Sequence, residues 1–98
     1  MRYAPLILLL LCSCAGGTRP RIHDLHASPA EVELGSGTTL TWVVTDAAQL
    51  RLEPGAVNVT GKTKHTVFPT TYSTYTLYAI NGDGCDYRSV VVPVYAQR

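Results

Sequence analysis

The chain has 98 residues, enough for one small domain and a leader. Eight Lys+Arg stand against seven Asp+Glu, a balance that excludes strongly electrostatic partners such as nucleic acid or an anionic membrane surface. Once the leader is set aside, and Arg2 with it, seven basic and seven acidic side chains cancel. Recognition must then rest on shape, aromatic surface and backbone pairing.

Residues 1–13, MRYAPLILLLLCS, begin with a positive charge at Arg2 and continue as an apolar run from Ala4 to Leu11 broken only by Pro5. That run falls short of the roughly 20 apolar residues a spanning helix needs and suits the apolar core of a secretory signal, about 7–15 residues. Small residues follow it. Leu11-Cys12-Ser13-Cys14 resembles the bacterial lipobox, in which a leucine three before an acceptor cysteine and a small residue just before it set the cleavage site. The resemblance implies that residues 1–13 are removed and that Cys14 is lipidated on its thiol as the new N-terminus. An ordinary cleaved signal with two incidental cysteines is the alternative. Each buried CH₂ of an acyl chain contributes about 0.8 kcal/mol, so two or more chains hold a protein stably on a bilayer. The implied address is the cell envelope, and the outer membrane if the host has two, because Ala15 rather than an aspartate follows the cysteine. Residues 14–21, ending AGGTRPR, read as a lipidated flexible tether.

From residue 22 the chain breaks into short strand-like pieces between turn signals. Residues 22–27 alternate imperfectly, with Ile22 and Leu25 apolar, and Ser28-Pro29 stops them; residues 31–34 restart the strand, since proline cannot sit inside a central ladder. Gly35-Ser36-Gly37 is a turn. Thr38–Thr45 places Leu40, Trp42 and Val44 on one face, and Gln49–Glu53 places Leu50 and Leu52 likewise. Residues 56–60 and 63–68 are weaker strands around Gly61-Lys62. Residues 74–81 alternate Tyr75, Leu77 and Ala79 with Thr74, Thr76 and Tyr78, and Gly82-Asp83-Gly84 signals a hairpin into residues 87–95. No helical stretch follows the leader. Seven to eight strands with turns every 8–12 residues predict an all-β domain, a sandwich or small barrel, over residues 22–96.

Ser28-Pro29, Gly35-Ser36-Gly37-Thr38, Leu40-Thr41-Trp42, Pro54-Gly55, Pro69 and the stretch from Ser73 to Ala79 resemble bacterial immunoglobulin-like domains. The resemblance implies an antiparallel β-sandwich and a binding or structural role. It also implies that Trp42 packs on Leu40 and Leu77, which stand where antibody-type domains carry a cysteine pair. Tyr75, two residues before Leu77, would be a tyrosine corner whose phenol bonds back to backbone.

Chemistry-bearing residues are sparse. His23 and His26 lie three apart in a strand, an offset expected to send them to opposite faces, and His65 stands elsewhere. Asp83 and Asp86 lack the acidic density of a calcium loop. No nucleophile elbow, phosphate loop or carboxylate pair occurs, so no cofactor, metal or catalytic residue is expected. Cys85 would be the one cysteine besides Cys14 in the exported chain. It reads as a partly buried small side chain, as an intermolecular thiol linking a disulfide dimer, or at the margin as the nucleophile of a small thiol-dependent enzyme.

Alternation also predicts an outward face. With Tyr75, Leu77 and Ala79 inward, Tyr78 and Ile80 point out; with Val90, Val92 and Val94 inward, Val91 and Tyr95 point out, beside Arg51. An apolar face of Arg51, Tyr78, Ile80, Val91 and Tyr95 marks a site for an unidentified protein or glycan partner. The function expected is that of a non-catalytic, lipid-anchored envelope protein binding through this domain. An accessory subunit of a surface or secretion assembly is the alternative.

Overall fold

The structure, a computed structural model, describes residues 18–96. The signal peptide and the lipidation expected at Cys14 lie outside the described residues.

Nine strands follow in order: β1 Arg21–Ser28, β2 Val32–Glu33, β3 Thr38–Thr45, β4 Gln49–Glu53, β5 Val57–Asn58, β6 Lys64–Val67, β7 Ser73–Asn81, β8 Gly84–Val92 and β9 Val94–Tyr95. β1, β3 and β6 form one antiparallel sheet in the order β1-β3-β6, and a second sheet runs β5-β4-β7-β8. The short β2 and β9 pair in parallel. This all-β architecture agrees with the strands expected from the sequence, which alternate apolar and polar side chains so that each sheet has one buried side.

Those buried sides meet. Leu40 and Trp42 of β3, Leu50 and Leu52 of β4, and Tyr75, Leu77 and Ala79 of β7 form one core with Ile22, Leu25, Val32, Val59 and Val92. Leu40 and Leu77 are fully buried, as expected for an apolar pair in place of a cystine. Trp42 joins them, and its indole Nε1–H donates to Lys62 O at 2.9 Å, so its single polar atom is satisfied at the edge of the core. Tyr75 is buried in the same cluster, but among the described residues its phenol makes no hydrogen bond, so the expected corner is present in packing only.

β1 departs from regular alternation. Its register with β3 shifts between Ile22 and Asp24: Ile22 pairs with Val44, Asp24 with Val43 and Leu25 with Trp42. The extra residue is His23. Such a bulge re-phases the side chains after it, which is how Ile22 and Leu25, three apart, both reach the core. It also corrects the expectation for the histidines. Both are exposed: His23 Nε2 lies 2.9 Å from Thr45 Oγ1, and His26 Nδ1 lies 2.7 Å from Asp24 Oδ2.

The strand break at Ser28-Pro29 changes sheets. β1 pairs with β3, whereas β2 crosses to β9, with Val32 N donating to Pro93 O at 3.1 Å and Leu34 N to Tyr95 O at 2.8 Å. At the opposite end, Asp86 Oδ2 accepts the Ile22 N–H at 2.8 Å, joining β8 to the start of β1. The hairpin after β7 is tighter than expected. Asn81 pairs with Gly84 and leaves only Gly82 and Asp83 in the loop, so β8 begins three residues before Tyr87.

Trp42→Ala should lower unfolding free energy by about 3–5 kcal/mol, a large part of the stability of so small a domain. Trp42→Phe should keep most of the packing but orphan the Lys62 carbonyl, costing about 1–3 kcal/mol. Chemical denaturation of the two variants checks both, and a Trp42→Ala midpoint near that of the parent protein would remove the indole from the centre of the fold.

Candidate interaction face

The outer side of the β5-β4-β7-β8 sheet is built by strand register. Arg51 of β4 pairs with Asn58 on one side and Tyr78 on the other, and Tyr78 pairs with Tyr87 of β8. Directly paired side chains on one face stand close enough to touch, and here they do. The Arg51 guanidinium lies 5.5 Å from the Tyr78 ring centroid, and the Tyr78 and Tyr87 centroids are 5.8 Å apart with their planes tilted by 31°. Tyr78 is therefore flanked by a cation from β4 and an aromatic ring from β8. It is half-buried, while Tyr87 at the end of the row is 53% exposed.

Adjoining rows are polar. Glu53, Thr76 and Ser89 stand side by side, with the Thr76 and Ser89 hydroxyls 2.8 Å apart. Arg51 Nε approaches Glu53 Oε2 at 3.1 Å. That contact is an ion pair by distance but lacks hydrogen-bond alignment, and the buried Nε has no other partner. The pair still leaves the row with little net charge. On the far side, Gln49, Ile80 and Cys85 form the next row, and Thr74 and Val91 lie beyond Thr76 and Ser89.

Four of the five residues expected on this face are there: Arg51, Tyr78, Ile80 and Val91. Tyr95 is not. Pro93, which has no N–H to give a ladder, separates β8 from β9, and Tyr95 sits against β2 with its side chain exposed. It lies near Leu34 at the pole where Phe68 and Tyr72 are also exposed, Phe68 with its ring against Gly37. Tyr87 was not expected. Its signal lay in the parity of β8: if Val91 points out, then so do Ser89 and Tyr87.

Cys85 is 3% exposed and disulfide-bonded. A bonded sulfur offers no thiolate, so a nucleophile at this position loses its reactive group. Among the described residues, no three His, Cys, Asp or Glu side chains gather where they can hold a metal.

Comparison with known proteins places the fold. No protein-family model matches the chain, and no curated protein matches it. Among solved structures it is similar to a chain of a complex between titin M10 and an obscurin-like 1 Ig domain, in a mutant form. The TM-score is 0.62 at 20% identity, over 85% of this chain and 99% of that one. A second crystal form of the titin M10–obscurin-like 1 Ig complex gives 0.57 at 18% identity, over 81% and 96%. Identities this low speak to architecture alone. By fold, residues 18–96 form an immunoglobulin-like β-sandwich.

Proposed function

We propose that this chain is a non-catalytic binding module, lipid-anchored to a cell envelope through Cys14, that meets a protein partner with the Arg51–Tyr78–Tyr87 face. The coarser part of that reading, an immunoglobulin-like domain compatible with a binding or structural role, follows from the fold. The observation that carries the choice of face is the clamped aromatic row with an exposed end, and the lipobox resemblance at Leu11-Cys12-Ser13-Cys14 supports the anchor. Tyrosine and arginine dominate the energetic centres of protein interfaces, because they add large contact area with few rotors to freeze. Here the neighbours already hold Tyr78, so little ordering remains to be done on association.

The same geometry favours protein over glycan. Sugar rings stack on the open face of an aromatic ring, and Tyr78 has Arg51 on one side and Tyr87 on the other. The matching chain belongs to a complex between titin M10 and an obscurin-like 1 Ig domain, which makes a β-sandwich partner a natural first candidate. An accessory subunit of a larger surface assembly would use the same face, and would differ in being recovered with several proteins.

Two measurements test this reading. In cross-linked envelopes, Tyr78→Ser with Tyr87→Ser should lose the partner that the parent protein retains, while Leu34→Ser with Tyr95→Ser at the other surface should keep it. The reverse pattern would discard the face. Intact mass of the membrane-extracted protein should give a chain beginning at Cys14 and carrying acyl groups; a retained Met1 without acyl mass would discard the anchor. Cleavage before Cys14 removes Cys12, and a thioether occupies the Cys14 sulfur. The lipidated form and a form with Cys85 bonded within its own chain are therefore distinct, and the same non-reducing spectrum separates them.

A further inference from the structure

Asn81 closes β7, and every polar atom of its carboxamide is engaged. Nδ2 donates to Thr18 O at 2.9 Å and to Asp46 O at 2.6 Å, while Oδ1 accepts the Asp83 N–H at 2.7 Å. One side chain thus ties together the end of the tether, the β3–β4 turn and the β7–β8 hairpin. Arg19, Arg21, Asp46 and Asp86 line a polar cleft at the same place. The next residue is Gly82, and nothing lies within 4 Å of where its Cβ would stand.

An Asn-Gly step is chemically labile because glycine puts no side chain between its own backbone nitrogen and the preceding carboxamide. We propose that Asn81-Gly82 is a deamidation site, and that the Asn81 carboxamide is a clasp whose conversion to a carboxylate permanently unfastens residues 18–20 from the domain. In the step, Gly82 N bonds to Asn81 Cγ and gives up its proton, the Cγ–Nδ2 bond breaks, and ammonia leaves. Solvent water then opens the cyclic imide to aspartate or isoaspartate. No oxidant or reductant takes part.

The folded arrangement controls the timing. While Nδ2 holds two carbonyls and Oδ1 holds the Asp83 amide, the carboxamide is kept in its seat, and ring closure waits until the clasp opens. Conversion therefore records an opening that has occurred. Afterwards the position has two acceptor oxygens and no donor. They face the Thr18 and Asp46 carbonyl oxygens, with the Asp83 carboxylate two residues on, so attraction becomes repulsion. The clasp works whether or not the chain carries lipid.

Hydrogen exchange on the purified protein tests it, comparing the parent with Asn81→Asp. Amides of residues 18–22 should exchange several-fold faster in the variant, while β3 and β7 keep the parent's protection. Asn81→Ser removes the donor without adding charge and serves if Asn81→Asp does not fold. Unchanged exchange at residues 18–22 in the folded variant overturns the clasp. Peptide mapping after prolonged mildly alkaline incubation tests the modification: conversion at Asn81 should proceed more slowly in the folded protein than in urea, and Gly82→Ala should suppress it. Equal rates folded and in urea, or no conversion in the folded protein over that time, overturn it.

Discussion

The burial of one indole between two sheets sets most of the other positions in this domain. Trp42 lies in the middle of β3, with Leu40 on the same side and Leu77 across the core. Its ring reaches the rim, where Nε1 finds the Lys62 carbonyl. That bond fixes the turn between β5 and β6, and Trp42 N–H donates to Thr63 O at 3.1 Å from the same residue's backbone. Side chain and main chain of one residue therefore hold two successive carbonyls of the segment that leads into β6. Where Leu40 and Leu77 pack as an apolar pair, such doubled anchoring adds a polar hold to the centre of the core.

Much of this was legible in the sequence wherever a strand kept a strict period of two. β3, β4 and β7 do, and their buried sets, Leu40 with Trp42, Leu50 with Leu52, and Tyr75 with Leu77 and Ala79, were readable from the residues alone. β1 was not, because the bulge at His23 converts a spacing of two into a spacing of three. An apolar pair three apart, Ile22 and Leu25, in a chain with no helical stretch is itself the mark of that bulge. The parallel pairing of β2 with β9 could not be read at all. Two-residue strands carry no periodicity, and their partners are set by how the sheets close.

The outer face was half legible for a related reason. Its members on β4 and β7 follow from alternation, but β8 starts at Gly84, a boundary fixed by the two-residue loop. Moving that start back brings Tyr87 beside Tyr78, and the break at Pro93 sends Tyr95 elsewhere. The result is a narrower and more ordered surface than scattered exposed apolar residues would give. Arg51, flanked by Glu53 and Tyr78, contributes mass and planarity to it more than charge.

The crossing of the first strand from one sheet to the other has a mechanical meaning. β1 runs from the pole that holds Thr45 and Asn81 toward the pole that holds Thr39 and Ser73, and β2 then lies parallel to β9. Tension between the two ends of the molecule slides β2 and β9 lengthwise against each other instead of peeling them apart. The Val32–Pro93 and Leu34–Tyr95 bonds stand across that direction and bear the load together. Pulled from its two ends, the domain would yield there by sudden rupture, not by gradual unzipping.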